Sequence, residues 1–205
     1  MAKNRLKTVI RHEQIAEAAL DIVRSEGISG LNVAAVATKV GLVPSAVYRH
    51  FKNKSEIVST VLQLIRTRLN QHYQEVIQQN LEPIEKLNLL LSRHVKLIGS
   101  NNAIPRIIFS GEVIGGMPKK QQLLYGIIRD VIRNVACIVT EGQKKGTIRK
   151  DVPAENIAVS FLGIIQPAAI IWNLSGGEFD LIKHSKNAWE LFFDAVRQNP
   201  TNKKD

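Results

Sequence analysis

At 205 residues, 44% hydrophobic and 22% charged, the chain has material for one domain or two small ones, which excludes a mainly disordered protein. Lys and Arg number 28 against 18 Asp and Glu, and the net charge of +10 fits either a polyanionic partner or a solubility device. The lone Cys137 excludes an internal disulfide framework and fits a reducing cytoplasm.

The N-terminal stretch MAKNRLKTVIRHEQ is basic, but His12, Glu13 and Glu17 interrupt any apolar signal segment. Its first twelve residues carry Lys3, Arg5, Lys7 and Arg11 with no acid, a cationic arm able to lie along a backbone of phosphates. Ile15, Ala18, Ala19, Ile22 and Val23 then fall on one helical face, and Gly27 supplies a left-handed stop. A shorter helix follows, with Val33, Val36, Ala37 and Val40 inward, Asn32 as its N-cap and Gly41 as its stop. Pro44 opens a third helix at its first position, where a missing N–H costs nothing, and SAVYRHF continues it. Asn53-Lys54-Ser55-Glu56 reads as a capping box for a long helix reaching towards residue 80.

Beyond Pro83 the pattern predicts a helix over 84–99, a short one over 104–114 closed by Gly115-Gly116, and a long one over 119–145. An apolar helix over 154–174 and a last helix over 180–198 complete an all-α chain. The 22 uncharged residues between Glu155 and Glu178 are long enough to span a bilayer, but Asn156, Ser160, Gln166, Pro167 and Asn173 dilute them. The expectation is a helix buried in a core or a subunit interface, with no membrane partner.

Two short helices joined by a tight turn match the helix-turn-helix pattern, whose second helix enters the major groove of DNA. Ser45, Tyr48, Arg49 and His50 supply hydrogen-bonding groups, Val47 and Phe51 the inward face, and Lys52 and Lys54 follow at once. Residues 1–54 hold nine basic side chains against four acidic ones. A lysine in the first turn of a helix is opposed by the helix dipole, so a phosphate beside Lys54 would relieve the misfit.

The run from Ile15 to Glu56, with AEAALDIVRSEGISGLNVAAVATKVGLVPSAVYRHFKNKSE, resembles the DNA-binding domain of TetR-family transcriptional repressors. Ala18-Ala19, Gly27, Val36-Ala37, Val40-Gly41, Tyr48-Arg49-His50-Phe51 and Lys54 carry the likeness over about forty residues in register. It implies about nine helices: an N-terminal three-helix head (1–55) that binds double-stranded operator DNA, and a helical effector-binding and dimerisation bundle (56–205). It also implies a homodimer through the last two helices and a small-molecule pocket in the second domain.

Position by position, the resemblance gives Tyr48, His50 and Lys54 phosphate contacts. Pro44, Ser45, Ala46 and Arg49 come to face or flank base edges, and Asn32 caps the second helix where it touches the backbone. Val43 departs from the pattern, since it stands where a capping serine is common. The pocket implied by the resemblance draws its candidate lining from His94, Ile98, Phe109, Met117, Tyr125, Ile128 and Trp172, for a mostly hydrophobic effector. For the homodimer, Phe161, Leu162, Ile165, Ala168 and Ala169 form one apolar face, and Trp189, Phe192, Phe193 and Val196 another.

Enzyme and cofactor readings find no support. No G-x-S-x-G, G-x-G-x-x-G or P-loop occurs, and the histidines lack metal-ligand spacing. Cys137 lies in an apolar helical stretch and is expected to be buried. The sequence therefore reads as a ligand-responsive DNA-binding repressor. The alternative is a DNA-binding protein without an effector, acting through a protein partner.

Overall fold

In the computed structural model the first amphipathic run forms α1 (Ala2–Gly30), kinked where Gly27 enters the left-handed region at φ 74°. The structure describes residues 2–116 and 118–198, with side chains from Arg11 onward. The following helices are α2 (Val33–Lys39), α3 (Pro44–Tyr48), α4 (Lys54–Ile77), α5 (Pro83–Ser100), α6 (Ala103–Ile108), α7 (Pro118–Lys145), α8 (Ala154–Leu174) and α9 (Leu181–Val196). Among the described residues there are no strands beyond one isolated antiparallel bridge, between Ile148 and Arg197. The fold is the expected all-α one. α6 is shorter than its periodicity predicts: Phe109 closes it, and the chain turns through Ser110–Gly116.

The chain divides into two compact units. One comprises Met1–Arg68 with Asn101–Ile127, the other Leu69–Ser100 with Ile128–Asp205. α4 thus passes from one unit into the other, and α6, packed on α1, belongs with the first unit together with the start of α7. Burial in the first unit centres on Ile15, Ala19, Leu20, Val23, Val36, Val47, Phe51, Ile57, Val61, Ile104 and Ile107. The His12 ring sits 5.1 Å from that of Phe51. Arg106 Nη1, on α6, lies 3.4 Å from the Val23 and Arg24 carbonyls, so a guanidinium serves oxygens near the carboxyl end of α1.

The second unit is built on Leu87, Leu90, Val135, Ile138, Val139, Ile157, Ala158, Phe161 and Phe192. Its closing turn runs back onto α9: Arg149 N donates to Val196 O at 2.9 Å, and Gln198 N to Thr147 O at 3.1 Å. Gly142 permits this packing, since a Cβ there would stand 2.5 Å from Ile148 Cδ1.

Phe161, Ile165, Ala168, Ala169, Phe192 and Val196, expected at a dimer seam, have their side chains buried within the subunit. Leu162, Trp189 and Phe193 are half-buried, the first two packed against the same core. The exposed apolar residues of α8 and α9 lie elsewhere, at Val159, Ile170, Ile171, Leu174, Ile182 and Leu191. α8 is long and apolar enough to cross a membrane by length and composition, and 44% of its most apolar 18-residue stretch is buried within the chain. Cys137 is exposed rather than buried. Its neighbours Val135, Ile138 and Val139 take the inward face of α7, and at 100° per residue Cys137 turns away from them.

Candidate nucleic-acid interface

The helix-turn-helix is assembled by short-range hydrogen bonds that its sequence prescribes. Asn32 Oδ1 accepts from Ala35 N at 2.8 Å and caps α2. Gly41 takes φ 68°, and Leu42 N returns to Ala37 O at 2.9 Å, which closes the turn. Val43 gives α3 no side-chain cap, and Pro44 at the first turn removes one of the donors left over. Asn53 Oδ1 then accepts from Glu56 N at 3.1 Å, while Glu56 Oε2 accepts from Lys52 N at 2.7 Å, one residue earlier than a strict capping box.

α3 is anchored by Val47, with Phe51 just beyond it, 1% and 2% exposed. Everything else in and just after it except Ala46, which is half-buried, is exposed: Pro44, Ser45, Tyr48, Arg49, His50 and Lys52. No acidic residue lies between Glu26 and Glu56. The structure thus gives the second helix an outward surface with cations and hydroxyl and imidazole groups, and with no carboxylate of its own.

Lys54, expected beside a phosphate, has two partners inside its own unit. Its Nζ donates to the Ile28 carbonyl at 2.6 Å and lies 3.8 Å from Glu112 Oε1. The kink at Gly27 leaves that carbonyl free to accept, and Glu112 supplies a counter-charge, so the ammonium turns inward instead of towards solvent. Glu112 also accepts from Lys120 Nζ at 2.9 Å. The Lys120 hydrogen bond above all, with the charges of Lys120 and Lys54, holds the Glu112 carboxyl below its usual range. Neither Glu112 nor Lys120 was recognisable as part of this arrangement from sequence, since no helical spacing joins them to Lys54.

The expected effector-lining residues are divided between the two units. Phe109 and Tyr125 belong to the first unit, where Tyr125 is 64% exposed. His94, Ile98, Ile128 and Trp172 belong to the second, and Met117 lies outside the described residues. His94 is buried, and loss of hydration, helped by the charge of His72, lowers its pKa to about 4, so the imidazole is neutral at pH 7. An open groove of about 650 Å³ runs between α5 and α9, lined by Leu81, Glu85, Leu89, Ser92, Ile182, Lys186 and Trp189 among others. None of the seven candidates lines it.

This arrangement defines a helix-turn-helix protein, and comparison with known proteins gives its family. Residues 15–61 match the family described as bacterial regulatory proteins, tetR family, and residues 44–195 match the YsiA-like protein, C-terminal region. The chain belongs to the TetR family of bacterial regulatory proteins, and its helix-turn-helix marks it as a DNA-binding transcriptional regulator. It is 22% identical over 186 residues to the fatty acid metabolism regulator protein of Bacillus subtilis (strain 168), covering 91% of this chain and 95% of that one. It is 21% identical over 187 residues to the HTH-type transcriptional repressor KstR2 of Rhodococcus jostii (strain RHA1), covering 91% of both. Among solved structures, the transcriptional regulator FadR of Bacillus subtilis in complex with stearoyl-CoA superposes with a TM-score of 0.76. That match has 21% identity over 90% of this chain and 98% of the other.

Proposed function

We propose that this regulator is a cytoplasmic, homodimeric repressor whose operator is released by a long-chain acyl-CoA. The observation that carries the DNA-binding half is the acid-free exposed face of α3, with Ser45, Tyr48, Arg49 and His50 turned out over the buried Val47. In this reading residues 1–55 read the duplex: Tyr48 and His50 meet phosphates, and Asn32 lies beside them. Pro44, Ser45, Ala46 and Arg49 approach base edges, where Pro44 and Ala46 offer apolar contact to thymine methyls and Arg49 hydrogen bonds. Residues 56–205 bind the effector and the second subunit.

The effector class is supported by a relative named for fatty acid metabolism and by a solved structure, from the same species, of FadR in complex with stearoyl-CoA. His94 and Ile98 on α5, with Ile128 and Trp172, remain the candidate lining in the second unit. A neutral imidazole among Leu90, Leu91 and Val95 suits an uncharged polar group on an apolar chain, such as a thioester carbonyl.

A dimer sets two α3 helices about one helical turn of DNA apart. An effector that favours another spacing lowers DNA affinity, and DNA lowers effector affinity by the same factor, roughly 5–150-fold for a coupling of about 1–3 kcal/mol. α4 and α7 contribute residues to both units, so a shift at the effector end has a covalent route to the head.

The test is fluorescence anisotropy with a duplex from immediately upstream of the protein's own coding region, with and without stearoyl-CoA. Binding that falls on addition of stearoyl-CoA but not of free CoA supports the reading. Binding indifferent to every acyl chain length overturns the effector class. Tyr48→Phe should weaken DNA binding while leaving thermal stability unchanged, because the side chain is 51% exposed.

A further inference from the structure

Glu112 stands between two ammonium groups. Lys120 Nζ, on a side chain 5% exposed, donates to one carboxylate oxygen at 2.9 Å, and Lys54 Nζ lies 3.8 Å from the other. Two cations share one anion, so the cluster holds one positive charge in excess. Lys54 carries that surplus at the less buried end, with its side chain 28% exposed. It starts α4, where the helix dipole opposes a cation, and it follows the exposed Lys52 and the outward face of α3. Among the described residues, Glu112 is the carboxylate paired with it inside the unit.

We propose that Glu112 is a positioning residue for DNA binding: it holds the Lys54 ammonium inside the N-terminal unit, and a DNA phosphate competes with it for that one cation. The inference rests on the DNA-binding reading above. Lys54 meets Glu112 as an ion pair at 3.8 Å while it donates to the Ile28 carbonyl at 2.6 Å, so its share of charge neutralisation turns on how much of Glu112 is left for it. Lys120 sets that share. When Lys120 holds the carboxylate closely, Lys54 is released to the phosphate; when it withdraws, Glu112 draws Lys54 inward. Lys120 lies in the first turn of α7, whose later residues belong to the second unit, so movement of that helix changes the affinity for DNA backbone.

The phosphate contact is independent of base sequence, so the probe is a labelled mixed-sequence duplex, titrated with the full chain at several salt concentrations. Glu112→Gln is expected to bind about 3–10-fold tighter at low salt and to steepen the log–log salt slope by about 0.9, one phosphate contact. In a Lys54→Met background the same change should add nothing. Lys120→Met, which leaves Glu112 to Lys54 alone, should shift affinity the opposite way by about 2–3-fold, and it keeps the sign test available if Glu112→Gln folds poorly. A Glu112→Gln protein that binds no tighter overturns the proposal, as does a gain that persists without Lys54, which would mark mere removal of a negative charge. A wild-type chain that ignores duplex DNA overturns the DNA-binding reading instead.

Discussion

Lys54 and Ile28 are joined across the head of the molecule: the lysine ammonium at the start of α4 donates to the carbonyl just past the Gly27 kink at 2.6 Å. The contact ties the end of α1 to the beginning of α4, with the helix-turn-helix on the chain between them. A hydrogen bond from a charged donor contributes about 1.5–3 kcal/mol, and removing the donor strands a part-buried carbonyl.

Lys54→Met should therefore lower the unfolding free energy by about 1–3 kcal/mol, read by urea denaturation, besides weakening binding to mixed-sequence DNA. A variant that loses DNA affinity at full stability would show a lysine that serves only the duplex, and the Ile28 contact would carry no structural weight.

The acid response of the second unit follows from His94. Its folded pKa of about 4 lies below the 6.5 of an exposed histidine, so the unfolded chain binds the proton more readily. The stability due to the neutral buried ring is therefore complete above pH 6.5 and is lost progressively as pH falls towards 4. Glu75, Glu112, Glu141 and Asp151 are all shifted downward, through Arg93, Lys120, Lys86 and Arg149 in turn, and their contributions fade only below the ordinary carboxylate range. The window between about pH 4.5 and 6.5 thus isolates the histidine. Urea titrations across it should show stability falling by about 2–3 kcal/mol in the wild type, at 1.36 kcal/mol per unit of pKa difference. His94→Leu should flatten the profile. A wild-type profile already flat over that range would mean that His94 charges without penalty.

What the sequence made legible was local. The Asn32 cap, the left-handed Gly27 and Gly41, Pro44 at the first turn of α3 and the Asn53 side-chain cap each involve residues within four positions of each other. Their chemistry is therefore written in adjacent letters. Lys54 was read correctly as a misfit at a helix start, but its partners stand 26 and 58 positions away, and helical spacing has nothing to say about them. α8 was ambiguous for another reason. It is apolar on two sides, so its periodicity could name Phe161, Leu162, Ile165, Ala168 and Ala169 as one coherent face without telling core from interface.

Two glycines in α7 should respond oppositely to an added methyl group. At Gly142 a Cβ would stand 2.5 Å from Ile148 Cδ1 and 3.1 Å from Pro83 Cβ, whereas at Gly126 it would meet nothing within 4 Å. Gly142→Ala should cost about 1–3 kcal/mol through overpacking of the turn that closes onto α9. Gly126→Ala should stabilise the helix by about 0.5–1 kcal/mol. Thermal denaturation of both variants distinguishes the cases, and a Gly142→Ala protein as stable as wild type would mean that Ile148 swings aside freely.

The homodimer proposed above would use what the subunit leaves uncovered. Leu174 is 79% exposed and Leu191 75%, with Val159, Ile170 and Ile171 also outward, while Phe161 and Ala168 are fully enclosed. Charged substitutions on the first set should leave each subunit folded, because those side chains support no core. Leu174→Lys combined with Leu191→Lys should therefore give a monomer in light scattering with an unchanged helical circular dichroism spectrum, and weaker operator binding because two heads no longer act together. Phe161→Ala, in contrast, should cost about 3–5 kcal/mol of subunit stability through the cavity it opens. A double variant that stays dimeric would place the interface on another surface, and one that unfolds would show that α8 and α9 depend on the partner for their own stability.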